Sequence, residues 1–161
     1  MFYIIMGVSG TGKSTIGKLL SNRTGWAFYD ADDFHPQANI DKMNLGIPLT
    51  DSDRLPWLEK LQQLITDTLN SKHYAILACS ALKTQYREIL SHNHPEVVFI
   101  YLRGNYEFIQ SRVKQRIGHF MNPNLLLSQF DTLEEPQDAL VIDVSLAPEM
   151  IVEQILNEIS Y

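Results

Sequence analysis

Nine residues near the amino terminus, GVSGTGKST at positions 7–15, carry the plainest chemistry in the chain. Gly7, Gly12, Lys13 and Ser14 fill every fixed place of the phosphate-loop pattern G-x-x-x-x-G-K-[ST]. Glycines let successive backbone N–H groups converge on an anion, Lys13 can reach the β- and γ-phosphates, and Ser14 can ligate Mg²⁺. Ser9, Gly10, Thr11 and Thr15 complete the cradle, and a helix starting near Ser14 adds its positive end. A plain glycine turn between strand and helix would have no use for Lys13.

Three further clusters suit a phosphate-transferring site. In YDADDFH, Asp30, Asp32 and Asp33 crowd beside His35, and like charges at this density need a cationic partner. A magnesium ion and a substrate hydroxyl supply it, one carboxylate holding the metal's waters while another accepts the proton of the attacking alcohol. In an extended stretch Asp30 and Asp32 point the same way and Asp33 elsewhere. A second account has Asp32 or Asp33 capping a short helix that begins at Pro36.

In CSALKTQYREIL, Lys83 and Arg87 stand one helical turn apart on a shared face. Two cations there suit an anionic substrate, and a solvated helix face accounts for them equally well. Ser80 reads as the cap of a helix starting at Ala81, and Cys79 as a small buried residue with no histidine nearby in sequence to stabilise a thiolate. Arg112 and Arg116, at i and i+4 ahead of Gly118, have the pattern of a hinged lid that closes over phosphates and excludes water; a basic helix surface is the alternative. His119 has a substrate contact and a surface position both open to it. The five histidines form no i, i+4 pair, which disfavours a histidine metal centre.

These residues need a scaffold, and the hydrophobic pattern describes one. Short apolar runs near Phe2 to Val8, Trp26 to Tyr29, Ala75 to Cys79, Val97 to Leu102 and Ala139 to Ile142 read as strands. Their nearly continuous apolar character fits a parallel sheet covered on both faces. Helices are predicted after the phosphate loop, near Arg54 to Leu69 with Leu55, Leu58, Leu61, Leu64 and Ile65 inward, and near Leu82 to Leu90, Asn105 to Gln115 and Pro148 to Ile159. Ligands of such sheets lie at the carboxyl ends of strands, where the clusters above fall.

Composition narrows the function class. A chain of 161 residues, 45% hydrophobic, can bury one core, so a single domain over residues 1–161 is expected. A net charge of −6 argues against nucleic-acid binding. One cysteine allows no internal disulfide, and MFYIIMGVSG has neither a charged leader region nor the length of a membrane span. A cytoplasmic protein with no membrane partner is expected. The D-x-x-G and N-K-x-D patterns of GTP-dependent switches are missing from the sequence, which favours ATP.

In the blocks GVSGTGKST, DADDFHPQANIDKMNLGIPLTDSDRLPWL, CSALKTQYREIL and GHFMNPNLLLSQFDTLEEP, in that order and over essentially its whole length, the sequence resembles the small P-loop gluconate kinase (gluconokinase) family. The resemblance implies the α/β P-loop kinase fold of shikimate and nucleoside monophosphate kinases: a five-stranded parallel sheet, helices on both faces, and a helical lid at about 112–127. It implies ATP-dependent phosphorylation of D-gluconate to 6-phospho-D-gluconate with Mg²⁺, by a homodimer. Carried onto this chain, it implies Gly7 to Thr15 with Arg112 at the nucleotide, and Ser14 with Asp30 at the metal. It further implies Lys13, Asp32 and Arg116 in catalysis, Asp32 as base, and His35, Arg54, Lys83 and Arg87 with Asp32 at the gluconate. One departure is Ala31, where the family commonly has glycine between the two aspartates; alanine is expected to be tolerated if φ there is negative.

Overall fold

A computed structural model of the chain describes residues 1–115 and 123–159. Arg116, Gly118, His119 and the middle of the expected 112–127 lid therefore lie outside the described residues.

Five strands form one parallel sheet in the order β2-β3-β1-β4-β5: β1 Phe2–Met6, β2 Ala27–Asp30, β3 Ala75–Ala78, β4 Val97–Arg103 and β5 Leu140–Asp143. All five lie within two residues of the predicted runs. Alternation along β1 divides the core. Phe2, Ile4 and Met6 face one side with Leu58, Leu61, Ile65 and Leu77, whereas Tyr3 and Ile5 face the other with Ile16, Leu20, Ile100 and Ile155.

Helices α1 (Lys13–Thr24), α5 (Tyr106–Lys114) and α7 (Pro148–Glu158) cover the second face; α3 (Asp51–Asn70) and α4 (Thr84–Ser91) cover the first. The remaining described helices are α2 (Gln37–Asn44) and α6 (Pro123–Thr132), with a 3₁₀ turn at Ala31–Phe34. From β1 the chain moves to one edge for β2 and β3, then crosses to β4 on the opposite side of β1. The carboxyl end of β1, where the phosphate loop begins, is thus the reversal point at which open parallel sheets bind ligands. Among the described residues no helix is long and apolar enough to cross a membrane.

Several local expectations change. Helix α3 starts at Asp51, one turn before Arg54, because Thr50 and Asp53 form a reciprocal capping box. Its inward side is Trp57, Leu58, Leu61 and Ile65; Leu55 is exposed. Ser80 caps no helix: Ala81 takes a left-handed φ of 46° and Lys83 is the residue that precedes α4. Neither Asp32 nor Asp33 caps the helix near Pro36. Asp30 instead caps the 3₁₀ turn, its side chain accepting from the Asp32 N–H, and Pro36 precedes α2. Ala31 lies at negative φ, as its tolerance requires, and its carbonyl accepts from Trp57 Nε1 at 2.7 Å.

Candidate active site

The phosphate loop joins β1 to α1. Gly12 precedes the helix at φ 90°, a conformation that disfavours side chains, and the side on which a Cβ would stand is open to 4 Å, so an anion can approach the backbone there. Gly10 also has positive φ, and a Cβ would come within 2.6 Å of Val113 on α5. The front of the loop is held by its own side chains: the Val8 carbonyl accepts from Thr11 Oγ1 at 2.9 Å and from Lys13 Nζ at 3.0 Å. A cleft of about 260 Å³ opens beside it, lined by Gly10, Thr11, Gly12, Thr15 and Ile16, by Arg112 and Gln115, and by Pro148 and Ile151 of α7. Arg112, expected at the nucleotide, stands in this wall with its guanidinium 5.3 Å from the Phe108 ring.

The acidic cluster meets the loop through one contact. Ser14 Oγ donates to Asp30 Oδ2 at 2.8 Å, while Asp30 Oδ1 accepts from the Asp32 N–H at 3.0 Å. Asp32 and Asp30 are not parallel neighbours on an extended strand, because β2 ends at Asp30 and the 3₁₀ turn folds Asp32 back over it. Asp32 keeps an exposed side. Burial of its other flank, then the charge of Asp30, raises its carboxyl above the ordinary value, and Lys13 opposes that rise.

Beyond the turn, His35 stacks on Trp57 at 4.4 Å between ring centres. Asn39 Nδ2 donates to the Asp53 carbonyl at 2.9 Å, which fixes the amide orientation, and lies 3.3 Å from His35 Nδ1. Nδ1 then accepts and Nε2 carries the proton of the neutral ring. Burial, then Arg54, lowers the imidazole's pKa.

The expected cations separate into two kinds. Arg54 Nη1 donates to the Leu49 carbonyl at 2.9 Å and to Tyr86 Oη at 3.2 Å; Lys83 Nζ donates to Asp51 Oδ1 at 3.2 Å, and Tyr86 Oη donates to the same oxygen. Arg54 and Lys83 thus flank one tyrosine, 5.7 and 5.5 Å from its ring centre. Arg87 does not share their face. It is 7% exposed, with Nη1 donating to the Ala81 carbonyl at 2.8 Å and Nη2 to Thr84 Oγ1 at 3.2 Å and the Glu134 carbonyl at 2.7 Å. Lys83 is the non-helical residue before α4, and its ammonium binds Asp51 while Arg87 binds Ala81, Thr84 and Glu134. Cys79 is fully buried, its thiol pushed up to about 12 chiefly by burial, as an inert core residue.

Sequence reasoning did not single out Tyr86, Asp51 or Trp57, which hold the cations and the histidine. It also passed over Gln129, in LLLSQF, whose side chain bonds to Ser9 at two atoms.

A phosphate loop at the reversal point of a five-stranded parallel sheet, its serine tied to an acidic turn after β2, defines a P-loop kinase of the shikimate kinase type. The shikimate kinase family matches residues 9–160 of the chain. Within that class, the sequence is 47% identical over 147 residues to the thermosensitive gluconokinase of Escherichia coli, covering 89% of this chain and 79% of that one. It is 46% identical to an Arabidopsis thaliana gluconokinase over 97% of this chain and 90% of that one. The crystal structure of a gluconokinase from Sinorhizobium meliloti superposes with a TM-score of 0.86 at 38% identity, over 96% of this chain and 89% of that one. The chain belongs to the gluconokinase family.

Proposed function

We propose that the protein transfers the γ-phosphoryl group of ATP to D-gluconate, giving 6-phospho-D-gluconate and ADP. The observation that carries this reading is the meeting of donor and acceptor machinery at the carboxyl end of the sheet, in a chain of this family. The phosphate loop and the Asp30–Asp32 turn are joined by Ser14, and the turn is joined through His35 and Trp57 to the Arg54–Lys83 corner.

In this reading the loop N–H groups and Lys13 hold the phosphates, and Arg112 closes the nucleotide cleft. Arg54 and Lys83 bind the carboxylate of the acid; among the described residues Arg54 Nη2 and Nε make no hydrogen bond, so a fork edge remains for it. Neutral His35 offers its Nε2–H to the polyol. Asp32 accepts the hydrogen bond of the terminal hydroxyl, aims it at the phosphorus and takes its proton. Arg116 is assigned to the transferring phosphoryl group on the sequence resemblance alone. Arg87 acts one layer back, holding the corner that bears Lys83.

The donor set fits magnesium. Ser14 Oγ and Asp30 Oδ2 are hard oxygen donors 2.8 Å apart, and no group of three or more acidic, histidine or cysteine side chains among the described residues forms a metal cage. That is the arrangement expected for an ion held mainly by phosphates and water. Such an ion supplies charge neutralisation on the β- and γ-phosphates. The reading also includes a cytoplasmic homodimer without nucleic-acid or membrane partners, on charge, cysteine count and family resemblance.

The test is ADP release with ATP and Mg²⁺ across gluconate, shikimate, 2-keto-gluconate, glucose and AMP. Gluconate is expected to give the highest kcat/KM. A faster acceptor among the others, or none that works, overturns the assignment.

A further inference from the structure

Ser9, in the front half of the phosphate loop, is held at two atoms by a side chain 120 residues away. Its backbone N–H donates to Gln129 Oε1 at 2.7 Å, and Gln129 Nε2 donates to Ser9 Oγ at 2.9 Å. A backbone N–H can only donate, so this pair of bonds fixes which way the carboxamide faces. Gln129 lies in the last turn of α6, where its carbonyl accepts from the Leu133 N–H at 2.9 Å.

The chain just beyond is pinned to the acceptor side. The Glu134 N–H donates to the Leu82 carbonyl at 2.8 Å, Glu134 Oε1 accepts from the Thr84 N–H at 2.8 Å, and the Glu134 carbonyl accepts from Arg87 Nη2 at 2.7 Å. The short run from Gln129 to Glu134 therefore spans from the loop that would hold the phosphoryl donor to the corner that carries Lys83. Its far end is rigid because buried Arg87 ties it to Ala81 as well. In-line transfer depends steeply on the relative placement of donor and acceptor, and an error of about 1 Å can cost 10²-fold.

We propose that Gln129 is a positioning residue for phosphoryl transfer: through its two bonds to Ser9 it sets the register of the phosphate loop against the Ala81–Thr84 corner. The inference rests on the kinase reading of the site. Gln129 need not touch substrate; it acts through Ser9.

Gln129→Met keeps the length of the side chain and removes both bonds, and Gln129→Ala removes the packing too. Both are expected to lower kcat with ATP and gluconate by about tenfold or more, while ADP affinity, measured by calorimetry, changes by less than about twofold. Ser9→Ala, which deletes only the hydroxyl, is expected to lower kcat by itself and to add nothing in the Gln129→Met background. Gln129→Glu can accept from both the Ser9 N–H and its hydroxyl, and is expected to recover most of the rate lost in Gln129→Met. Circular dichroism and Tm identify a variant that fails to fold; the near-isosteric Met and Glu variants then decide. Wild-type kcat in Gln129→Met, additive losses with Ser9→Ala, or a loss of ADP affinity as large as the loss of kcat overturns the role. If wild-type protein prefers another acceptor, the gluconate reading falls separately, and the same variants are compared on that acceptor by the same criteria.

Discussion

Arg87 Nη1 donates to the carbonyl of Ala81 at 2.8 Å, and Ala81 stands at a left-handed φ of 46° in the buried corner after β3. A non-glycine residue held there costs about 1–3 kcal/mol and persists only where its surroundings over-determine it. Arg87 supplies that constraint, since Nη2 also binds the Glu134 carbonyl at 2.7 Å.

Arg87→Ala is accordingly expected to act on stability first. Two carbonyls lose a charged donor, a loss on the order of 2–4 kcal/mol. For a chain of this size that corresponds to a fall in Tm of roughly 5–15 °C. Thermal unfolding checks it, and a variant with unchanged Tm would show that the corner holds itself.

Arg54→Ala is expected to act on the substrate instead. Its guanidinium is partly exposed beside Tyr86. Losing a charge-assisted contact to the acid should raise KM for gluconate about tenfold to a hundredfold, with KM for ATP nearly constant. The two Michaelis constants are compared in one preparation. An equal rise in both removes Arg54 from the acid site.

These two arginines show what was legible in the sequence. Arg87 stood out as a cation after a strand and Arg54 entered through the family resemblance, but neither signal could tell a ligand from a staple. The acceptors that bury Arg87 lie at Ala81 and at Glu134, 47 residues from it, and the left-handed turn at Ala81 has no glycine to signal it. Strands were legible because a parallel sheet covered on both faces demands uninterrupted apolar runs, and β1 and β3 are buried throughout. The phosphate loop was legible because its chemistry is local. Asp30 and Ser14, 16 residues apart, could be assigned to one metal only by resemblance; their 2.8 Å contact is made by the fold. The capping box at Thr50 and Asp53 lies in TDSD, immediately before the predicted start at Arg54, and moves the helix start three residues earlier, to Asp51.

That box gives a pH prediction. Lys42, then the Thr50 N–H, hold the Asp53 carboxyl down at about 2 from an ordinary 3.8. A carboxyl whose folded pKa lies below its unfolded value stabilises the fold fully above the unfolded pKa and loses that contribution as pH falls through the folded one. The Tm difference between wild type and Asp53→Asn should therefore be constant above about pH 5 and shrink between about pH 4 and 2. A difference that stays flat across that interval would mean Asp53 is not held by Lys42 in solution.

Asp32 and Asp30 are adjacent carboxylates with different expected duties, and the difference can be measured. Asp30 is engaged at both oxygens, by Ser14 Oγ at 2.8 Å and by the Asp32 N–H at 3.0 Å, which places it beside the hydroxyl assigned to magnesium. Asp32 carries a carboxyl raised by burial and by the charge of Asp30, which suits a proton acceptor. Asparagine preserves the size of either side chain. At position 32 it removes the acceptor of the hydroxyl's proton and the charge that strengthens the hydrogen bond aiming it, so Asp32→Asn should lower kcat by about 10²- to 10⁴-fold with ATP binding near normal. At position 30 it weakens the hold on the ion's water shell, so part of the Asp30→Asn defect should be recovered by raising Mg²⁺. Both variants are measured across a magnesium titration at saturating gluconate. Full activity in Asp32→Asn removes it as the base, and recovery by magnesium in Asp32→Asn but not in Asp30→Asn exchanges the two roles.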